Sequence, residues 1–242
     1  MDVQQFNARP LPDSYLDGTS FDESVTFEYE FATPLRSRFD LLSELVAGKS
    51  VLHIGCCDHI PLLAEKIAAR AWLHGRLTET ARFCLGVDID PRAVAESRRI
   101  SGLDNIVLGD VTAAARLPEI AGHRFDYAIL GEVVEHIGNP VSFLARLLGN
   151  YRDNIAQVVI TVPNALRGSN IKNIFKGREN INSDHRFFFT PYTIAKVAWD
   201  AGLAPVSMQM AHYTEKTFIK RTLFNRFPLL ADDLVYIGAP RG

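Results

Sequence analysis

The chain has 242 residues, 47% apolar and 22% charged, enough to bury one large core, and its 26 basic and 28 acidic residues give a formal charge of −2. That balance argues against a nucleic-acid or membrane-surface partner, and no apolar run reaches the roughly 18 residues a membrane span needs. The opening MDVQQFNARPLPDS has no basic segment followed by an apolar core, so no secretory signal is expected. Cys56, Cys57 and Cys84 fit neither a disulfide framework nor zinc-ligand spacing, and the expected setting is a reducing cytoplasm.

In chain order, residues 1–48 are expected to form an irregular N-terminal leader or lid packed on the core, with a helix over 36–46. From residue 49 onward, short Val- and Ile-rich runs alternate with stretches of helical spacing, the pattern of an α/β fold with a mainly parallel sheet. Strands are expected at 50–55, 83–88, 105–109, 125–131, 156–162, 203–212 and 233–238. Helices are expected at 61–80, 91–101, 140–149 and 191–201; Asp90-Pro91, Asn139-Pro140 and Thr190-Pro191 mark three starts, and Gly202 marks a stop. No long helix separates the last two strands, so they are expected to pair antiparallel. The segment KTFIKRTLFNRF, 216–227, reads as an amphipathic helix packed on the sheet.

Ligands of such a sheet bind beyond the carboxyl ends of its strands. The first strand ends in Gly55, where the backbone can turn tightly; the second ends in Asp88, whose carboxylate suits the two hydroxyls of a ribose; the third ends in Asp110, placed for an adenine amine. The first turn, Gly55-Cys56-Cys57-Asp58-His59, lacks the glycines of a pyrophosphate cradle, and Asp58 would repel a phosphate. A phosphate-free, positively charged nucleoside, S-adenosylmethionine, fits this chemistry.

The ordered set VLHIGC, GVDID, NIVLGD, FDYAILGEVVEHIGNP, VVITVPNA and DHRFFFTPYTIAKVAWDAGL resembles the class I S-adenosylmethionine-dependent methyltransferases over about residues 45–205, and in particular their small-molecule branch, similar to the ubiquinone-biosynthesis-type O-methyltransferases. The resemblance implies a doubly wound, Rossmann-like sheet of about seven strands, mostly parallel with an antiparallel last strand, and makes 49–242 the methyltransferase domain. It further implies that Gly55 and the backbone around Cys57 meet the methionine half of the cofactor. Asp88, followed by Ile89, would hold the ribose, Asp110 with Val111 the adenine, and Gly131 with Glu132 the floor beneath the sulfonium. The chain departs from the family where it has His53 in place of an acidic residue and Cys57 and His59 in place of glycines, so His53 is the position expected to alter cofactor affinity most. The 33 residues from Gly55 to Asp88 exceed the spacing of a compact dinucleotide fold, and ARAWLHGRLTETAR reads as a lengthened helix or a second short one.

In GEVVEHIGNP, Glu132, Glu135 and His136 share one helical face, and His185 is expected to reach the same cleft. Three readings stand side by side: Glu135 and His136 brace the helix at 140; His136 or His185 acts as a general base, with Glu135 beside it; or Glu132, Glu135, His136 and His185 bind a divalent metal, as the resembling small-RNA 3′-end 2′-O-methyltransferases do. Residues 164–186 carry five basic residues against two acidic ones, which reads as a solvated loop or as a lid for an anionic acceptor. The function expected is methyl transfer to an oxygen, with nitrogen second, of a small or saccharide-linked acceptor. The alternatives are a metal-assisted RNA 3′-terminal 2′-O-methyltransferase, against which the acidic balance counts, and a non-catalytic, methyltransferase-like scaffold or cofactor-sensing subunit.

Overall fold

A computed structural model describes residues 11–213 and 218–241. Seven strands, β1 (Ser50–Ile54), β2 (Phe83–Asp88), β3 (Ile106–Leu108), β4 (Phe125–Gly131), β5 (Ile155–Pro163), β6 (Leu203–Ala211) and β7 (Asp233–Pro240), form one sheet in the order β3-β2-β1-β4-β5-β7-β6. β1 to β5 pair in parallel, and β7 runs antiparallel to both its neighbours, β5 and β6. The helices are α1 (Asp13–Leu16), α2 (Arg38–Leu45), α3 (Ile60–Ala68), α4 (Leu73–Thr80), α5 (Pro91–Ser101), α6 (Pro118–Ala121), α7 (Pro140–Tyr151), α8 (Gly168–Ile174), α9 (Pro191–Asp200) and α10 (Phe218–Arg226). Among the described residues, no helix is long and apolar enough to cross a membrane.

The strands are buried on both faces because helices cover both, and the two-residue period of a strand divides their side chains between two cores. Leu52, Ile54, Ala128, Leu130, Val158 and Ile160 face α7 and α9, while Val51, Ile129, Tyr127 and Val159 face α2 and α4. His53 shares the parity of Val51 and therefore looks toward α4. The starts marked in the sequence are real caps: Asp90 Oδ1 accepts from Arg92 N at 2.8 Å, Asn139 Oδ1 from Ser142 N at 3.0 Å, and Thr190 with Thr193 forms a capping box.

The stretch 61–80 is two helices, the second of the two readings the sequence allowed. Arg70 takes a left-handed φ of 54°, which ends α3, and Trp72 turns inward so that its Nε1 donates to Cys56 O at 3.0 Å. The break therefore anchors the turn after β1. The helix expected at 216–227 is present as α10, with residues 214–217 outside the described set. Leu11, Leu16 and Leu35 of the N-terminal segment join the sheet core. Ser37 bridges to His212 beyond the end of β6, and Arg38 N donates to His212 O at 2.7 Å. These bonds fix where α2 begins and deliver Arg38 to the carboxyl edge of the sheet.

Candidate functional site

The strand order reverses between β1 and β4, and at that point the carboxyl ends of β1, β2 and β4 open into a cleft of about 950 Å³. Gly55 makes the first turn possible. Its φ is +68°, its N–H donates to Val87 O at 2.9 Å, and a Cβ built on it would lie 2.6 Å from Val133 Cγ2. At the end of β2, Asp88 Oδ2 accepts from Cys57 N at 3.0 Å and Oδ1 from Asp90 N at 3.1 Å, so the carboxylate ties the two turns together while lining the cleft. Ile89 lines it as well and is exposed.

His53 forms part of the cleft wall yet is almost wholly buried. Its Nδ1 lies 3.3 Å from His74 Nδ1, the two rings stack, and its Nε2 has no hydrogen-bond partner. Burial first, then the neighbouring imidazole, holds His53 well below the ordinary histidine range, and burial pushes His74 down to about 4. Both are neutral at pH 7. Where the family carries an acid, this chain presents an uncharged imidazole.

Across the cleft, Gly131 and Glu132 end β4. Glu132 holds a left-handed φ of 57°, a strained conformation for a residue with a side chain, and its N–H donates to Thr161 O at 3.0 Å. Its Oε1 takes the Thr161 hydroxyl at 3.1 Å and the Arg38 guanidinium at 2.6 Å, with Asp233 Oδ2 3.7 Å from the same Arg38 nitrogen. Burial works against the charge on Arg38, but the Glu132 and Asp233 carboxylates outweigh it and raise its pKa. Asp233 is pushed well up by burial and then by Glu132.

Val134–His136 form a single 3₁₀ turn after β4. Asn139 caps α7, and both carboxyl oxygens of Glu135 are buried without a hydrogen-bond partner, so Glu135 does not brace that helix. The carboxyl is instead beside His185, whose Nε2 is 3.9 Å from Glu135 Oε1, and the His136 and His185 rings meet edge to face at 4.6 Å. Ligand atoms of Glu135, His136 and His185 lie within 4.8 Å of one another. Arg186 locks the arrangement, donating from its N to Glu135 O at 2.8 Å and from its guanidinium to His136 O. Burial, then Glu132, raises Glu135 to about 9; burial lowers both histidines.

Of the residues expected from sequence, His53, Gly55, Cys57, Asp88, Ile89, Gly131, Glu132, His136 and His185 line one cleft, with Glu135 directly behind its wall. Asp110 and Val111 follow β3 at the same edge of the sheet, outside the residues that line the cleft; Asp110 Oδ1 accepts from Thr112 N at 2.8 Å and Thr112 Oγ1 at 2.7 Å, and Val111 is buried in the core. Glu132, expected among four metal ligands, is held by Arg38 and Thr161, leaving a trio. Sequence reasoning missed Arg38, Thr161, Asp233, Trp72 and Tyr213. Nothing local marks them, because Arg38, Asp233, Trp72 and Tyr213 reach the cleft through long-range packing and Thr161 acts from beneath it, through Glu132.

A sheet of six strands running one way, with an antiparallel β7 inserted between β5 and β6 and a cleft across the ends of β1, β2 and β4, is the architecture of the class I S-adenosylmethionine-dependent methyltransferase fold. A methyltransferase-domain family model matches residues 27–208, well over half the chain, and the chain belongs to that family. It is 30% identical over 153 residues to the aklanonic acid methyltransferase DauC of Streptomyces sp. (strain C5), a match covering 60% of this chain and 63% of that one, less than two thirds of the relative's length. Among solved structures, the small RNA methyltransferase HEN1 superposes with a TM-score of 0.57 at 14% identity over 92% of this chain and 27% of that one. The magnesium protoporphyrin IX methyltransferase of Synechocystis PCC 6803, with bound SAH, superposes with a TM-score of 0.53 at 13% identity over 84% and 82%. These likenesses concern the fold.

Proposed function

We propose that the chain methylates an oxygen of a small acceptor, with the donor seated against Gly55, Asp88 and Gly131 and the acceptor met by His136, His185 and Glu135. The cleft suits a donor that is cationic and free of phosphate. Its lining contains Asp58, Asp88, Asp90, Glu132, Asp232 and Asp233 against Arg38, Lys66 and Arg167, and two of those cations are spent on Glu132 and Asp58. The unpartnered Nε2 of His53 offers a neutral polar contact in the same wall. When bound, S-adenosylmethionine supplies an activated methyl group, and its displacement asks mainly for alignment with the nucleophile. Asp88 and Ile89 would hold the ribose, the Gly55–Cys57 backbone the methionine half, and Gly131 with Glu132 the floor. The strained Glu132 backbone is fixed by Arg38 and Thr161, which keeps that floor rigid.

The observation that carries the acceptor reading is the buried, unpartnered carboxyl of Glu135 beside two perpendicular imidazoles at the cleft wall. With both histidines lowered by burial, either is unprotonated at neutral pH and ready to take a hydroxyl proton. The orphaned Glu135 favours a second reading, in which Glu135, His136 and His185 hold a divalent cation that lowers the acceptor's pKa; two imidazoles and a carboxylate are suitable donors. Arg167, the basic residue of the 164–186 segment that reaches the cleft, suits an acidic acceptor, in keeping with a relative named for its action on aklanonic acid.

The test is methyl transfer from labelled donor to a panel of small hydroxylated and carboxylated acceptors, with metal-stripped protein and again with Mg²⁺, Mn²⁺ or Zn²⁺. The expected product is a methyl ether or ester. His185→Ala is expected to lower kcat by about 10²–10⁴ with donor affinity retained. Full activity in the stripped protein selects the base reading, and dependence on added metal the second. An N-methylated product, or unchanged turnover in both His136→Ala and His185→Ala, would overturn the proposal.

A further inference from the structure

Two of the three cysteines stand side by side in the turn after β1, and the function above makes no use of their thiols. Cys56 is buried and Cys57 half-buried; both are free, and their Sγ atoms lie 3.9 Å apart. The ligand atoms of Cys56, Cys57 and Asp88 all lie within 4.8 Å of one another, and all three residues line the cleft.

We propose that Cys56, Cys57 and Asp88 form a binding site for a soft divalent cation such as Zn²⁺ or Cd²⁺, and that its occupation excludes the cofactor. The geometry is that of a chelate. Tetrahedral zinc with Zn–S bonds of about 2.3 Å places two sulfurs about 3.8 Å apart, so the observed separation needs almost no adjustment. Adjacent cysteines seldom aim both sulfurs one way. Here the turn is pinned by Trp72 Nε1 on Cys56 O, at 3.0 Å, and by Asp88 Oδ2 on Cys57 N, at 3.0 Å, which orients the pair. A third ligand comes from the carboxylate already within reach; Cys57 and Asp88 are the half-buried members that open the site to the cleft, with Cys56 buried behind them.

The bound site carries a net charge of −1. Two thiolates and a carboxylate carry −3 against the metal's +2, and two thiol protons leave on binding. Thiolates select soft cations, so Mg²⁺ and Ca²⁺ do not compete here, in contrast to the Glu135–His136–His185 trio. The exclusion half of the proposal rests on the reading that Asp88 holds the ribose: a carboxylate drawn onto a metal is no longer free for the hydroxyls, and by linkage the cofactor weakens the metal as much as the metal weakens the cofactor.

The experiment uses the reduced, chelator-stripped full chain, titrated with Cd²⁺ and followed by the near-ultraviolet thiolate-to-cadmium charge-transfer absorption. Expected are saturation at one ion per chain, retention of the band in His185→Ala and its loss in Cys57→Ser. S-adenosylhomocysteine is then titrated calorimetrically with and without saturating Cd²⁺, and an affinity loss of at least about tenfold is expected. Should Cys57→Ser misfold, the wild-type chain still decides, since bound Cd²⁺ must protect Cys57 from alkylation, read by peptide mass spectrometry. Absence of the band, its persistence in folded Cys57→Ser, or unprotected alkylation would overturn the site. An unchanged S-adenosylhomocysteine affinity would overturn the exclusion. Failure of S-adenosylhomocysteine to bind the metal-free chain would refute the ribose reading and the exclusion with it, while the band alone decides the metal site.

Discussion

Gly55→Ala isolates the turn on which the cofactor slot depends. Two penalties are separable in the structure. A left-handed backbone costs an alanine about 1–2 kcal/mol, and the new Cβ, 2.6 Å from Val133 Cγ2, forces a displacement in packed surroundings that costs about another 1–3 kcal/mol. The expected total is about 3 kcal/mol, and at about 2–4 °C per kcal/mol for a chain of this size, Tm should fall by roughly 6–12 °C. Thermal unfolding of the ligand-free chain measures it, and a Val133→Ala background divides it, because the shortened side chain removes the collision and leaves the strained φ. The same substitution should then cost only about 1–2 kcal/mol. Equal losses in the two backgrounds, or a drop under about 2 °C in the wild type, would show that the turn does not depend on a missing Cβ.

Arg38→Met removes the cation of the Arg38–Glu132–Asp233 cluster and strands carboxylates beside the β4 end; a loss of about 3 kcal/mol in urea unfolding is expected, partly recovered by adding Glu132→Gln. An undiminished midpoint would mean the pair is dispensable. A second outcome concerns acid. His74 sits at about 4 in the folded chain against an unfolded value of 6.5, so the unfolded state binds more protons between those values. Stability from this group is therefore present above pH 6.5 and is lost as pH falls toward 4, by at most about 3 kcal/mol, with His53 acting in the same direction. Unfolding midpoints taken across that window should fall less steeply in His74→Gln, and parallel profiles would contradict the assignment.

The sheet was legible because each strand is a Val- or Ile-rich run bounded by turn residues, and α5, α7 and α9 because Asp90, Asn139 and Thr190 each precede a proline. Gly55, Asp88 and Gly131 could be placed in one cleft since parallel strands put their carboxyl ends on one edge. The Glu135–His136–His185 trio was half legible: the Glu-His pair is local, while His185 arrives from beyond β5. The Asp-Val-Thr sequence after β3 was legible as an Asx turn, and Asp110 Oδ1 does accept from Thr112 N and Thr112 Oγ1. Arg38 and His74 could not be read at all. One depends on a bridge between Ser37 and His212, the other on a helix break made by a left-handed Arg70, and neither contact has a local sequence signal.

On the reading proposed above, the cleft between β1, β2 and β4 binds S-adenosylmethionine through Asp88. Calorimetric titration of the cofactor into wild-type and Asp88→Asn protein measures this, with thermal unfolding alongside to register the one turn bond, from Cys57 N or Asp90 N, that an amide nitrogen cannot accept. Micromolar binding is expected in the wild type, weakened about 10- to 150-fold in the variant by loss of charge-assisted hydrogen bonds of about 1.5–3 kcal/mol. Equal affinities in the two proteins would contradict it.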